Sequence, residues 1–385
     1  MRKLNGNELF YPNYNNRNIV DIARVIYNYC GKNFMLNHNM RELKKYIKND
    51  QNIILILVDG LGYNIIKRLS NNSILKKNCK GSAVTVFPSA TGCVLNSLIT
   101  AEYPSKTGLF GWYSYNREKE KSYYTLLLKD RITNEDIELT NDEIFKKECC
   151  FNKMNRSVNV IYPLNLLETR YSKYVIGNNK SYGYSSYNEA FDIIGNHVIK
   201  NNEKTFTYLY LPEIDTLEHR YGLNNSNVFN KINELEMALE EFTNKNDNFE
   251  IVLIADHGQT NINKVVTMDF DKYNKYFYAL PSIDLGTATY FVKYEYRMEF
   301  IEEFKKDYNN SMIIYDTKDL ISADFFGKNI SKHAKDCLGE YTSICKKGYA
   351  FYNMLDKYDD SKKINGNHTG LTKDEMEIPI IVIKK

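Results

Sequence analysis

The chain has 385 residues, enough for two domains or for one large α/β domain carrying an insertion. Hydrophobic residues at 43% and charged residues at 26% exclude wholesale disorder. With 51 Lys and Arg against 48 Asp and Glu, the net charge of +3 is too even for nucleic acid or an anionic membrane to be the main partner.

The first 30 residues contain no apolar core of the signal-peptide kind, so secretion by that route is not expected. The longest clean aliphatic run, Ile53 to Val58, falls far short of the roughly 18 residues a membrane span needs. Seven cysteines without a CxxC pair read as reduced thiols of a cytoplasmic protein, with Cys149 and Cys150 structural or incidental. Asn, Lys and Tyr are abundant throughout, a codon-bias signature, so isolated ones carry little weight. The six histidines are scarce enough that their placement is informative.

Strands alternate with helical stretches along the chain, which predicts a mainly parallel central sheet with helices on both faces. Asn52–Val58 (NIILILV) is a continuous apolar run of the buried parallel type, followed by Asp59 and a helix over Asn64–Leu69. A strand at Ala83–Phe87 leads through Pro88 into a loop that turns into a helix. Further strands are expected at Val158–Tyr162, Thr205–Leu211, Glu250–Ala255 and Ile378–Ile383. A helix over Asn225–Phe242 carries its apolar stripe through Ile232, Leu235, Met237 and Leu239.

Residues 261–365 have a different rhythm. They predict a strand at Ala288–Tyr294, an amphipathic helix at Tyr296–Tyr308, and strands at Met312–Tyr315, Tyr341–Cys345 and Tyr349–Tyr352. The stretch Lys357–Gly366 marks the return. The expected organisation is a catalytic core of 1–260 and 366–385 with an inserted α+β cap of 261–365.

Four segments place acidic and imidazole side chains where strands end, the edge at which open α/β sheets assemble chemistry. They are Asp59; Asp215 and His219, spaced i, i+4 on one helical face; Asp256 and His257; and His368 in GNHTGL. Taken singly, an Asp after a strand is an ordinary cap or turn residue, and a D-x-x-x-H pair is an ordinary solvated pair. Together, three carboxylates and three imidazoles suit a Zn²⁺ or Mn²⁺ site, and two such ions form the clamp used in phosphoryl transfer. His38, His197 and His333 sit among polar residues and are read as surface histidines.

The segments ILILVDGLG, VFPSATGCVLNSLITAEYPSKTGLFGW, YLPEIDTLEHRYG, IADHGQ and NHTGLTKDEMEIPIIV resemble the alkaline phosphatase superfamily, most closely its nucleotide pyrophosphatase/phosphodiesterase branch. They occur in that family's order from about residue 50 to the end. The resemblance implies Thr91 as nucleophile, in the position of the family's F-P-[ST]-x-T motif, with Ser89 as a rival hydroxyl. It implies Asp59, Thr91, Asp256 and His257 as ligands of one divalent ion, and Asp215, His219 and His368 as ligands of a second. The ions would be zinc, or manganese. Tyr210 matches a position that stacks a nucleobase. The chain departs from the family pattern at Thr107, at Gly92, where a Phe is common, at Thr369, where Gly is frequent, and in having no Asn after Trp112 until Asn116.

The activity so implied is phosphodiester or pyrophosphate hydrolysis through a phosphothreonine intermediate, acting on a small phosphoester or nucleotide. Monoesterase, phosphomutase and phosphonate or sulfate hydrolase are the alternatives within the superfamily. A non-catalytic metal-binding scaffold is the alternative outside enzymes, and seven filled site positions argue against it.

Overall fold

The computed structural model describes residues 9–48, 52–199, 203–352 and 363–385. Its central sheet has seven strands in the order 79–84, 377–384, 249–254, 52–58, 205–211, 157–163 and 180–184. The five strands from 249–254 outward run parallel, while 377–384 pairs antiparallel with both 249–254 and 79–84. Asn52–Val58 lies at the middle, and all of its residues are buried, because neighbours cover both edges and helices cover both faces. The α/β class read from the sequence is therefore the observed one.

The topology explains why distant segments meet. Val58 pairs with Leu211 and Leu57 with Ile254, so Asp59, Asp215 and Asp256 leave the sheet at the same edge. Ile380 pairs with Ile254 in the opposite sense, so the chain before residue 377 enters at that edge too and brings His368 with it.

Several boundaries differ from expectation. The second strand is Cys79–Val84 rather than Ala83–Phe87, because the chain leaves the sheet after Val84 and Thr85 N–H donates to the Met376 carbonyl. The helix expected at Asn225–Phe242 spans Ser226–Lys245, with Asn225 as its cap, its side chain accepting from the Asn227 N–H. Its buried stripe is Val228, Ile232, Leu235, Leu239 and Phe242; Met237 faces solvent at 70% exposure and lies off that face. The strand Lys180–Tyr184 and the helix Ile19–Tyr29 were not expected from the sequence.

A second, antiparallel sheet also has seven strands, ordered 312–316, 341–345, 287–292, 277–283, 113–116, 121–124 and 129–130. The helix Arg297–Tyr308 lays Phe300, Phe304 and Tyr308 into an aromatic core with Tyr273, Tyr276 and Tyr290. This sheet is not made by 261–365 alone. Tyr113 pairs with Ile283, which adds the strands of 113–130 to it. The expected return stretch falls largely on 353–362, outside the described residues. All seven cysteines are free thiols. Among the described residues, no helix is long and apolar enough to cross a membrane.

Candidate metal centre

Asp59 follows the central strand directly, its N–H donating to the Leu211 carbonyl and its carbonyl accepting from Asp215 N–H at 3.2 Å. The glycine after it has φ 77°, and a Cβ there would collide with the Asp215 backbone. That close approach requires glycine and brings the two carboxylates together. Asp215 and His219 lie on the helix Glu213–Tyr221, one turn apart on the same face, with Asp215 Oδ1 3.4 Å from His219 Nε2. His368 Nε2 is 3.8 Å from the same oxygen.

His257 Nε2 is the second point of convergence. It lies 3.4 Å from Asp59 Oδ1, 3.2 Å from Asp256 Oδ2 and 3.1 Å from Thr91 Oγ1. Thr91 opens the helix Thr91–Thr100, whose first turn has no side-chain cap and whose free N–H groups favour an anion. The separations match the edges of a ligand tetrahedron, about 3.4 Å for ligands about 2.1 Å from their centre. Asp215 has ligand atoms within 4.8 Å of both the His219–His368 pair and the Asp59–His257 pair, so it stands between the two groups.

The surroundings hold these side chains in ligand form. Nδ1 of His219 faces the Gly366 carbonyl at 2.8 Å, that of His368 the Ser89 carbonyl at 2.8 Å, and that of His257 the Gly258 carbonyl at 3.2 Å. A carbonyl only accepts, so each Nδ1 carries the proton and each Nε2 presents a lone pair to the site. Burial pushes His257 down to about 4 and pushes His368 well below the usual imidazole range. Burial and the neighbouring Asp256 push Asp59 well up, and burial raises Asp256 to about 7. Asp59 Oδ1 and Asp256 Oδ2 are buried without a hydrogen-bond partner. Neutral imidazoles facing crowded, unpartnered carboxylate oxygens form a donor set suited to a divalent cation.

All seven expected site positions thus come together. The other expectations fall differently. Ser89 Oγ donates to the Gly370 carbonyl at 3.1 Å, so its hydroxyl is committed to the loop that carries His368. Tyr210 is 6% exposed, its ring packs on Tyr162, and its hydroxyl donates to Asp59 Oδ2. It offers the site an O–H instead of an open ring face. Asn116 Oδ1 accepts from the Lys119 N–H in a hairpin turn and serves the second sheet. His333 is not a surface side chain: it is half-buried beside Gly108 and Cys337, and burial lowers its pKa.

Three supports were not anticipated. Gln259 is fully buried and its Nε2 donates to both the carbonyl and Oδ1 of Asp215. Asp284, in a turn of the second sheet, is raised by burial to about 6 and lies in the field of His219 and Asp215. Backbone carbonyls orient the histidines, and no residue type marks a carbonyl, so no sequence signal existed for them.

The fold and this cluster define an α/β protein with a candidate metal-binding centre at the carboxyl edge of a doubly covered sheet. The chain belongs to the type I phosphodiesterase/nucleotide pyrophosphatase family, whose sequence pattern matches residues 53–370. This agrees with the superfamily that the motifs resemble. Among solved structures, the fold is similar to murine ectonucleotide pyrophosphatase/phosphodiesterase 5, with a TM-score of 0.66 and 14% identity over 87% of this chain and 88% of that one. An inactive variant of that protein in complex with AMP gives a TM-score of 0.62 and 14% identity, covering 86% and 87% of the two chains. Phosphonoacetate hydrolase from Sinorhizobium meliloti 1021, in complex with phosphonoacetate, gives a TM-score of 0.61 and 14% identity over 87% and 90%. A search of curated proteins finds no match.

Proposed function

We propose that the chain is a dinuclear-metal phosphoester hydrolase that cleaves phosphodiester or pyrophosphate bonds, with Thr91 as nucleophile. The observation that carries this reading is Thr91 Oγ1 at a helix N-terminus, 3.1 Å from His257 Nε2, beside buried carboxylate oxygens that lack partners. Asp59, Thr91, Asp256 and His257 are assigned to one divalent ion and Asp215, His219 and His368 to the other, with zinc preferred over manganese for the three imidazoles. Bound there, the ions supply Lewis acidity that lowers the pKa of a hydroxyl and balances charge on a phosphoryl group.

The remaining chemistry belongs to the chain. Thr91 gives up its hydroxyl proton to solvent and Oγ1 attacks phosphorus in line. The bond to the leaving oxygen breaks, that oxygen takes up a proton, and the phosphoryl group with any second ester substituent stays on Thr91 as a phosphothreonine-type ester that water then cleaves. The helix that begins at Thr91 orients its free N–H groups toward the phosphoryl oxygens. Tyr210 and Gln259 act behind the ligands, holding Asp59 and Asp215. The 261–365 segment, together with the strands of 113–130, serves as the substrate-facing cap. A cytoplasmic location fits the seven free thiols.

The test compares hydrolysis of diester, monoester, pyrophosphate and sulfate model substrates in Zn²⁺ and Mn²⁺. Diester or pyrophosphate turnover well above the others is expected; turnover of none of them, with metal bound, favours a scaffold. A phosphonate belongs in the same panel, because the structural similarity to phosphonoacetate hydrolase covers as much of this chain as that to the pyrophosphatase.

A further inference from the structure

Among the described residues other than glycine with a left-handed backbone, two are β-branched: Ile283 at φ 89° and Thr369 at φ 77°. β-Branched side chains avoid this region, so such residues persist only where the surroundings hold them there. Both flank one contact. The turn 284–286 joins the strands Phe277–Ile283 and Thr287–Val292 of the second sheet, and it rests on the loop that carries His368. On one side, a Cβ at Gly111 would collide with the Ile283 backbone. On the other, a Cβ at Gly286 would collide with the His368 carbonyl and Thr369 Oγ1.

The contact is bonded as well as close. Gly286 N–H donates to Thr369 Oγ1 at 2.8 Å, and Thr287 Oγ1 donates to the Thr369 carbonyl. Thr369 N–H donates to the Ser89 carbonyl at 3.2 Å, the same carbonyl that receives Nδ1–H of His368. Every polar group of Thr369 is therefore engaged, and the residue ties the turn of the second sheet to the orientation of His368. Glycine would adopt φ 77° freely, but it lacks the hydroxyl that binds Gly286.

We infer that Thr369 is a positioning residue: it holds a strained backbone so that the second sheet fixes the direction of His368 Nε2. This rests on the reading of Asp215, His219 and His368 as metal ligands. The full-length protein and its variants are titrated with Co²⁺, following visible absorption and stoichiometry by equilibrium dialysis, and melted without metal. The wild type should hold two equivalents. In Thr369→Gly the relief of strain is offset by loss of the bond to Gly286, so it should melt close to wild type, yet bind the second equivalent about 10- to 100-fold more weakly with an altered Co²⁺ spectrum. Thr369→Ser should recover most of both. Thr287→Val, which leaves residue 369 intact, should weaken the second equivalent to a lesser degree.

A merely structural role predicts the opposite pattern, a lower melting point with an unchanged spectrum. Wild-type affinity and spectrum in Thr369→Gly, or in Thr287→Val should the first fail to fold, overturn the positioning role and leave the metal reading intact. Fewer than two equivalents in the wild type overturn the metal reading, and the positioning role falls with it.

Discussion

The hydroxyl of Tyr210 donates to Oδ2 of Asp59, leaving Oδ1 of that carboxylate unpartnered and 3.4 Å from His257 Nε2. One oxygen of Asp59 is thus held by the strand beside it, and the other is kept for the site. The neighbouring strands make this automatic: Tyr210 pairs with Leu57 in parallel register, two residues before Asp59. The same division occurs at Asp256, whose Oδ1 accepts from the N–H groups of Gly60 and His257 while Oδ2 is unpartnered.

Tyr210→Phe removes that donor and keeps the buried ring. It should lower metal affinity about 10-fold or more, as loss of a ligand-orienting hydrogen bond does, and reduce turnover with it. Because the ring is buried, the loss should be equal on nucleotide and non-nucleotide diesters. Metal titration and rates on both substrate types check this; a loss confined to nucleotides would restore the stacking role.

Thr91→Ala should abolish turnover while both metals stay bound, since Asp59, Asp256 and His257 remain at that ion. Thr91→Ser keeps the hydroxyl and should retain part of the rate. Ser89→Ala removes only a bond to the Gly370 carbonyl, at a cost of about 1 kcal/mol, and should be mild. Rates and metal content of the three variants decide it. Activity in both alanine variants would replace covalent catalysis with direct attack by water.

Gly92→Ala tests the packing of the second sheet on the helix Thr91–Thr100. A Cβ at Gly92 would stand 3.0 Å from the Gly111 carbonyl and 3.4 Å from the Thr125 methyl. Helix and hairpin would have to separate, at a cost of about 1–3 kcal/mol. A lower Tm with a larger loss of kcat than of metal affinity is expected. Unchanged Tm and kcat would mean that the hairpin gives way freely.

Removing divalent ions should destabilise the protein. The buried carboxylates of Asp59 and Asp256 and the partly exposed one of Asp215 then face one another without a counter-charge. An ion at 100 times its dissociation constant adds about 2.7 kcal/mol to the folded state. Melting with EDTA, then after adding Zn²⁺ or Mn²⁺, should show a fall of several degrees and its recovery. A Tm indifferent to both would place the ions elsewhere or nowhere.

The sequence by itself determined the buried strands at the middle of the central sheet and the acidic and imidazole side chains at its edge. A strand buried on both faces must be an apolar run, as in Asn52–Val58 and Thr205–Leu211, so acidic residues that follow it closely fall at the sheet edge. Asp59, Asp215, Asp256 and His257 were legible for that reason, and His368 for its motif before the last strand. The tertiary structure decided what depends on partners far along the chain. The strands of 113–130 are short, half polar and without strong periodicity, and only the pairing of Tyr113 with Ile283 assigns them to the second sheet. Tyr210 reads as one more Tyr in a Tyr-rich strand until its hydroxyl is seen on Asp59. The carbonyls of Ser89, Gly258 and Gly366 turn three imidazoles toward the site, and Thr369 is held left-handed by Gly286 and Thr287. Every residue carries a carbonyl, and a backbone angle is set by what surrounds it, so these features exist only in the folded chain.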